Sequence, residues 1–201
     1  MNPTRRGFLK MTGAGGLILC TGGASMLLEG CPPASTIFAD IVAWIPTAKN
    51  AFKGILTILG PFLPAGAQVL ADAVFASLDT VAAAVAEYNA APAAAKATAL
   101  GKIRVVLQVV ADNIQTFLND FNLTGNPIIA VVIGLAEVIL STIAGFIGQL
   151  PIAGHKVGLG RTSVTFSGVS KPIVPKMRTL KQFRNDYNAV TEANGQSQID
   201  I

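Results

Sequence analysis

The sequence predicts an all-α protein: a bundle of four main helices, then an irregular C-terminal extension with a short terminal helix. Three observations predict it. Apolar residues recur every three or four positions through four long segments, the period of one helix face. Glycine and proline gather between those segments, at Gly60-Pro61, Ala90-Ala91-Pro92 and Gly125-Asn126-Pro127, where they stop helices. Hydrophobic residues make up 51% of the chain and charged residues 13%, too apolar for a disordered polypeptide.

The first helix begins after a short tether, Pro32 to Thr36, with Ser35 or Thr36 suited to cap it. Ile37, Phe38, Ile41, Val42 and Ile45 hold the helical spacing, which resumes at Ala48, Phe52, Ile55, Leu56 and Leu59. Pro46 stands between the two runs and predicts a kink or break. The second helix is expected from about Ala65 to Asn89. Val74 or Phe75, Leu78, Val81, Val85 and Tyr88 form its apolar face, and Asp72, Asp79 and Glu87 a solvated stripe. The third is expected from about Ala93 to Phe121, with Ile103, Leu107, Val110, Ile114, Phe117 and Phe121 facing inward.

The fourth helix, Pro127 to Gln149, is the most apolar, with Glu137 its single charge. Ala130, Gly134, Glu137, Ser141, Gly145 and Gly148 fall on one narrow stripe, and nearly every other residue is Ile, Val, Leu or Phe. Two environments suit such a helix. At ~1.5 Å per residue it would reach about 35 Å, enough to cross a bilayer. It would equally serve as a central helix that the other three surround, which gives the amphipathic second and third helices something to cover. The bundle reading is preferred. Glu137 is the candidate functional carboxylate, as an intramembrane ion or proton site or a buried acid. The plainer expectation is that its stripe meets water or a basic partner such as Lys102 or Arg104.

Beyond Pro151 the residues turn to Gly, Ser, Val and Pro, with one short strand expected at Ser163-Val164-Thr165-Phe166. A last short helix follows Thr179, with Leu180, Phe183, Tyr187 and Val190 on its sticky face and Asn194-Gly195 at its end. Charge is uneven along the chain. Residues 32–150 hold five basic and seven acidic side chains, whereas 151–201 hold seven basic and three acidic. The basic segment suits anionic lipid or cell-wall polymer if it is not simply a solvated tail.

Little in this body points to catalysis. One histidine, His155, cannot form a multi-histidine metal site, and both cysteines, Cys20 and Cys31, lie in the head of the chain. The run Gly154 to Ser163 resembles a phosphate loop only loosely, being one residue too long and carrying Arg161 where lysine is required. Asp72, Asp79 and Glu87 read as a solvated face rather than as acid–base partners. No catalytic residue, cofactor or metal ligand is therefore expected.

The head carries the specific motif. Thr4-Arg5-Arg6-Gly7-Phe8-Leu9-Lys10 resembles the twin-arginine (Tat) export signal, with Thr4, Arg5, Arg6, Phe8, Leu9 and Lys10 filling its positions. A mildly apolar, glycine-rich stretch follows, ending in Leu28-Glu29-Gly30-Cys31, which resembles a bacterial lipobox with Glu29 as its one departure. These resemblances cover residues 1–31 and imply a removable signal read by the Tat translocase. They also imply lipidation at Cys31 and residence on the outer side of a membrane, in the periplasm or at the cell surface.

The expected organisation is a signal over 1–31, a helical bundle over 32–150 and a basic extension packed on it over 151–201. The expected function is that of a non-catalytic envelope lipoprotein, a structural or interaction module that meets no nucleic acid. The alternatives are a carrier holding an apolar ligand between its helices and a membrane-inserting helical protein.

Overall fold

In a computed structural model, residues 34–123, 125–150 and 163–196 are described. The signal from Thr4 to Lys10, Cys31, His155 and most of the glycine-rich run lie outside them. Five α-helices and one β-hairpin follow in order: α1 (Ala34–Leu59), α2 (Ala67–Ala90), α3 (Lys96–Asn119), α4 (Ile128–Gln149), β1 (Ser163–Phe166), β2 (Val169–Pro172) and α5 (Leu180–Ala193). The all-α bundle is thus the observed fold, with a two-stranded sheet added to it, and these elements belong to one compact unit.

α1 runs through Pro46 without a break. Proline there removes the donor that would satisfy the Val42 carbonyl one turn earlier. Val42 and Pro46 are both exposed, on the side of the helix where water can take that carbonyl. Ser35 and Thr36 lie inside the first turn rather than capping it. The opposite side of α1 is buried from Ile37 to Leu59 and carries Trp44 and Phe52 into the core. Trp44 meets Phe146 of α4 and Phe183 of α5 edge-on, at 5.5 and 6.0 Å between ring centres.

α2 and α3 pair antiparallel across the short turn at Ala91–Ala95, with Asn113 Nδ2 donating to the Ala73 carbonyl at 3.2 Å. Phe52 of α1 sits between them, 5.5 Å from Phe75 and 5.1 Å from Phe117. The acidic stripe of α2 is solvated as expected: Asp79 pairs with Lys49 at 2.5 Å and Glu87 with Lys102.

α4 is the centre, but its neighbours differ from those expected. It packs on α1, α3, α5 and both strands, and α2 does not reach it. α2 forms an outer layer against α1 and α3. The side of α4 that a fourth bundle helix would have covered is closed by the C-terminal elements.

The hairpin explains how so short a sheet persists. Ser167 (φ 46°) and Gly168 (φ 82°) form a two-residue turn with both residues left-handed, the geometry matching strand twist. Val164 and Phe166 point inward, and Phe166 lies 6.0 Å from Phe121. Gln115 of α3 then acts as a neighbouring strand. Its Oε1 accepts from Thr165 N at 3.0 Å and its Nε2 donates to Thr165 O at 2.6 Å. Ser167 Oγ accepts from Leu123 N at 2.9 Å and donates to Phe121 O at 3.3 Å, fixing the turn to the α3–α4 connection.

Ile139, at the middle of α4, is 1% exposed. Ile139→Asp strands a charge in the apolar centre and should cost about 3–5 kcal/mol, comparable to the whole stability of a small domain. The expected result is loss of the cooperative thermal transition by circular dichroism.

Candidate functional site

The small-residue stripe of α4 is covered over its middle and exposed at its ends, Ala130 and Gly148. A Cβ on Gly134 would stand 2.7 Å from Val190 Cγ1 of α5, and one on Gly145 would stand 2.7 Å from the Lys176 backbone. Small residues are therefore there to let the extension approach, rather than to open a seam to water. Lys176 N donates to Ser141 O at 2.9 Å, so the extension is joined to the helix backbone itself.

Arg178 secures this contact. It is 8% exposed, the one buried charge among the described residues. Its Nη1 donates to Ser141 Oγ at 2.6 Å, to Thr142 Oγ1 at 3.0 Å and, at the limit, to Val138 O at 3.4 Å. Both hydroxyls in turn donate to Val138 O, at 3.2 and 2.9 Å. The hydroxyls thus use their lone pairs on the guanidinium and their protons on the helix. On its other side Arg178 Nε donates to Asp186 Oδ2 at 2.7 Å, and Lys176 Nζ reaches the same oxygen at 2.7 Å. Burial alone would raise the Asp186 carboxyl, but the hydrogen bonds and charges of Lys176 and Arg178 outweigh it and hold the group below its ordinary value.

Glu137 lies one turn away. Its partner is Lys171 of β2, at 3.2 Å, and not Lys102 or Arg104. Lys102 is occupied by Glu87 on another part of the bundle. Glu137 is thus neither unpaired nor open: its side chain is 19% exposed and that of its lysine 47%. An ion pair this wet contributes little.

Glu137, Val138, Lys176, Arg178, Asp186 and Val190 border a cleft open to solvent. Its walls are partly charged, which gives no support to an enclosed apolar chamber for a carried ligand. Among the described residues no three His, Cys, Asp or Glu side chains converge on a possible metal position. Tyr187, whose phenol is pushed well above its ordinary range by burial, donates to the Ala51 carbonyl at 2.6 Å and so serves as a packing group. The arrangement is that of a clamp: a buried guanidinium, its hydroxyl acceptors and its counter-ion.

Arg178, Asp186 and Lys171 were not singled out from the sequence. A detectable signal was Ser141-Thr142, two adjacent hydroxyls in an otherwise apolar helix. The signal residues Thr4, Arg5, Arg6, Phe8, Leu9, Lys10 and Cys31 fall outside the described residues. Compared with known proteins, the chain matches no family model, no curated sequence and no solved structure.

Two outcomes separate clamp from surface pair. Arg178→Ala should lower stability by about 1–3 kcal/mol, because it removes charged hydrogen bonds in a buried setting, whereas Glu137→Ala should cost less than about 1 kcal/mol. Urea titrations of both variants measure this, and equal losses would contradict the assignment.

The Asp186 shift sets a pH dependence. A depressed folded value gives stability that is full above the unfolded value of about 3.9 and is lost as pH falls through the folded value. The difference in Tm between wild type and Asp186→Asn should therefore be largest near neutral pH and shrink below about pH 4.

Proposed function

We propose that this chain is an exported envelope lipoprotein whose helical body is a non-catalytic structural or interaction module. The observation that carries the proposal is the head: seven contiguous residues, Thr4 to Lys10, in the Tat pattern, followed by Leu28-Glu29-Gly30-Cys31. Attachment through several acyl chains on Cys31 would exceed the marginal binding of a single chain.

The body is compatible with that role. By length and composition α2 and α4 could each cross a membrane, but 83% of the most apolar window of α4 is buried inside the protein. A helix already covered by its own chain needs no bilayer, so the membrane link is assigned to Cys31. One of the alternatives, a membrane-inserting protein, draws on α2, whose corresponding window is only 39% buried. It would require the bundle to open.

Export and anchoring are tested together. Arg5→Lys with Arg6→Lys should leave the precursor in the cytoplasm, and Cys31→Ala should abolish incorporation of a labelled fatty acid while leaving export intact. Efficient export of the double lysine variant in a strain lacking the Tat translocase would refute the route. Persistent labelling of Cys31→Ala, or none in the wild type, would refute the anchor at Cys31.

A further inference from the structure

Charge is polarised along the bundle axis, and the direction of that polarity can be fixed from side-chain contacts. Phe38 near the start of α1 meets Tyr88 near the end of α2, at 4.4 Å between rings, and Glu87 pairs with Lys102. The start of α1, the α2–α3 turn and the start of α3 therefore share one end. Further along, Phe52 meets Phe75 and Phe117. α5 runs in the same direction as α1, since Phe183 meets Trp44 and the later Tyr187 reaches Ala51.

The half of the bundle containing the start of α1 carries Lys96, Lys102, Arg104 and Lys181 against Asp40 and Glu87, a charge of +2 among the described residues. The other half has six cations, with the mid-level Lys176, Arg178 and Arg184 all counted to it, against seven carboxylates, a charge of −1 among the described residues. Asp72, Asp112, Asp120 and Glu192 are among those carboxylates. From Tyr88 to Gly101 there is no acid at all, and Lys96 is the only charge, half-buried at the start of α3 with its Nζ 4.9 Å from the centre of the Tyr88 ring.

We propose that the bundle stands end-on upon an anionic lipid surface, with the α2–α3 turn and the start of α1 toward the headgroups. The inference rests on the lipid anchor at Cys31. Only Pro32 and Pro33 lie between Cys31 and Ala34, so the tether spans at most about 10 Å and brings this end, not the other, to the membrane. α1 has 26 residues and extends about 39 Å, which carries the opposite turn far beyond the field of the leaflet. That field decays over about 8 Å in physiological salt, so Lys96 feels it most and the distal carboxylates least. Lying flat would bring those carboxylates down onto like charge.

The acylated protein offers a clean test, because its two native cysteines are Cys20, lost with the signal, and Cys31, blocked by lipid. A fluorophore is attached to Ala94→Cys in the α2–α3 turn or to Leu63→Cys, 41% exposed at the opposite turn. Both sites are on the surface, and unchanged thermal melts check the fold. Each labelled protein is bound to phosphatidylglycerol vesicles containing headgroup-spin-labelled lipid. Quenching at position 94 should exceed that at 63 several-fold. The excess should fall when phosphatidylcholine replaces phosphatidylglycerol, or in 1 M salt, where screening shortens to about 3 Å. Equal quenching, stronger quenching at 63, or an excess indifferent to lipid charge and salt would each overturn the proposal. An unacylated Cys31 would overturn the anchor and this orientation with it; an acylated, vesicle-bound protein quenched equally at both sites would overturn the orientation alone.

Discussion

Everything in this fold answers to the need to cover α4. A helix rich in Ile, Val and Leu on almost every side cannot rest against water. α1 and α3 cover part of it. The remainder is the narrow stripe of small residues, and closing that stripe determines where the hairpin, the segment after it and α5 must lie. The stripe is shaped for backbone rather than for large side chains, which is why a strand-like stretch passes over Gly145 and a helix over Gly134. Small residues that promote close helix contact in membranes here serve the same packing purpose inside the protein.

The same seam joins the chemistry to the packing. An all-apolar closure would have held α4 without dictating register. Ser141 and Thr142 introduce two hydroxyls whose acceptor capacity is met by one guanidinium from the extension. A buried cation demands a partner, and Asp186 supplies it from α5, so three separate segments must arrive in register for the charge to be satisfied. Charge at this seam thus specifies an arrangement more than it adds stability. The outer layer works differently: α2 is held by aromatic contacts around Phe52 and by wet ion pairs, which are tolerant of change.

Much of the helical framework was legible from the sequence because it depends on local signals. The inward residues expected for the third helix, from Ile103 to Phe117 and on to Phe121 just past its end, are buried, and Thr179 caps α5 through a reciprocal bond with Gln182. Strand β1 was visible in the alternation of Val164 and Phe166. Its partner β2 was not, because Val169-Ser170-Lys171-Pro172 is exposed throughout and carries no apolar period. Pro46 does not end its helix for a related reason: its effect depends on whether the orphaned carbonyl faces water, which is a matter of tertiary placement. The candidate site was half legible. Glu137 stood out as the single charge of its helix, but Lys171, Arg178 and Asp186 lie 34 or more positions further along the chain, and periodicity has no reach over such distances.

The hydrogen bond from Tyr187 to Ala51 spans 136 residues and ties the last helix to the first. Its consequence concerns the order in which the chain can become a protein. Contacts of such long sequence separation form late, because loop-closure entropy is spent before they repay it. Until α5 arrives, α1 to α4 present one side of a very apolar helix to solvent, a surface prone to association. The C-terminal segment is therefore less an appendage than the cover that α4 needs, and a chain shortened there would leave the small-residue stripe of that helix bare.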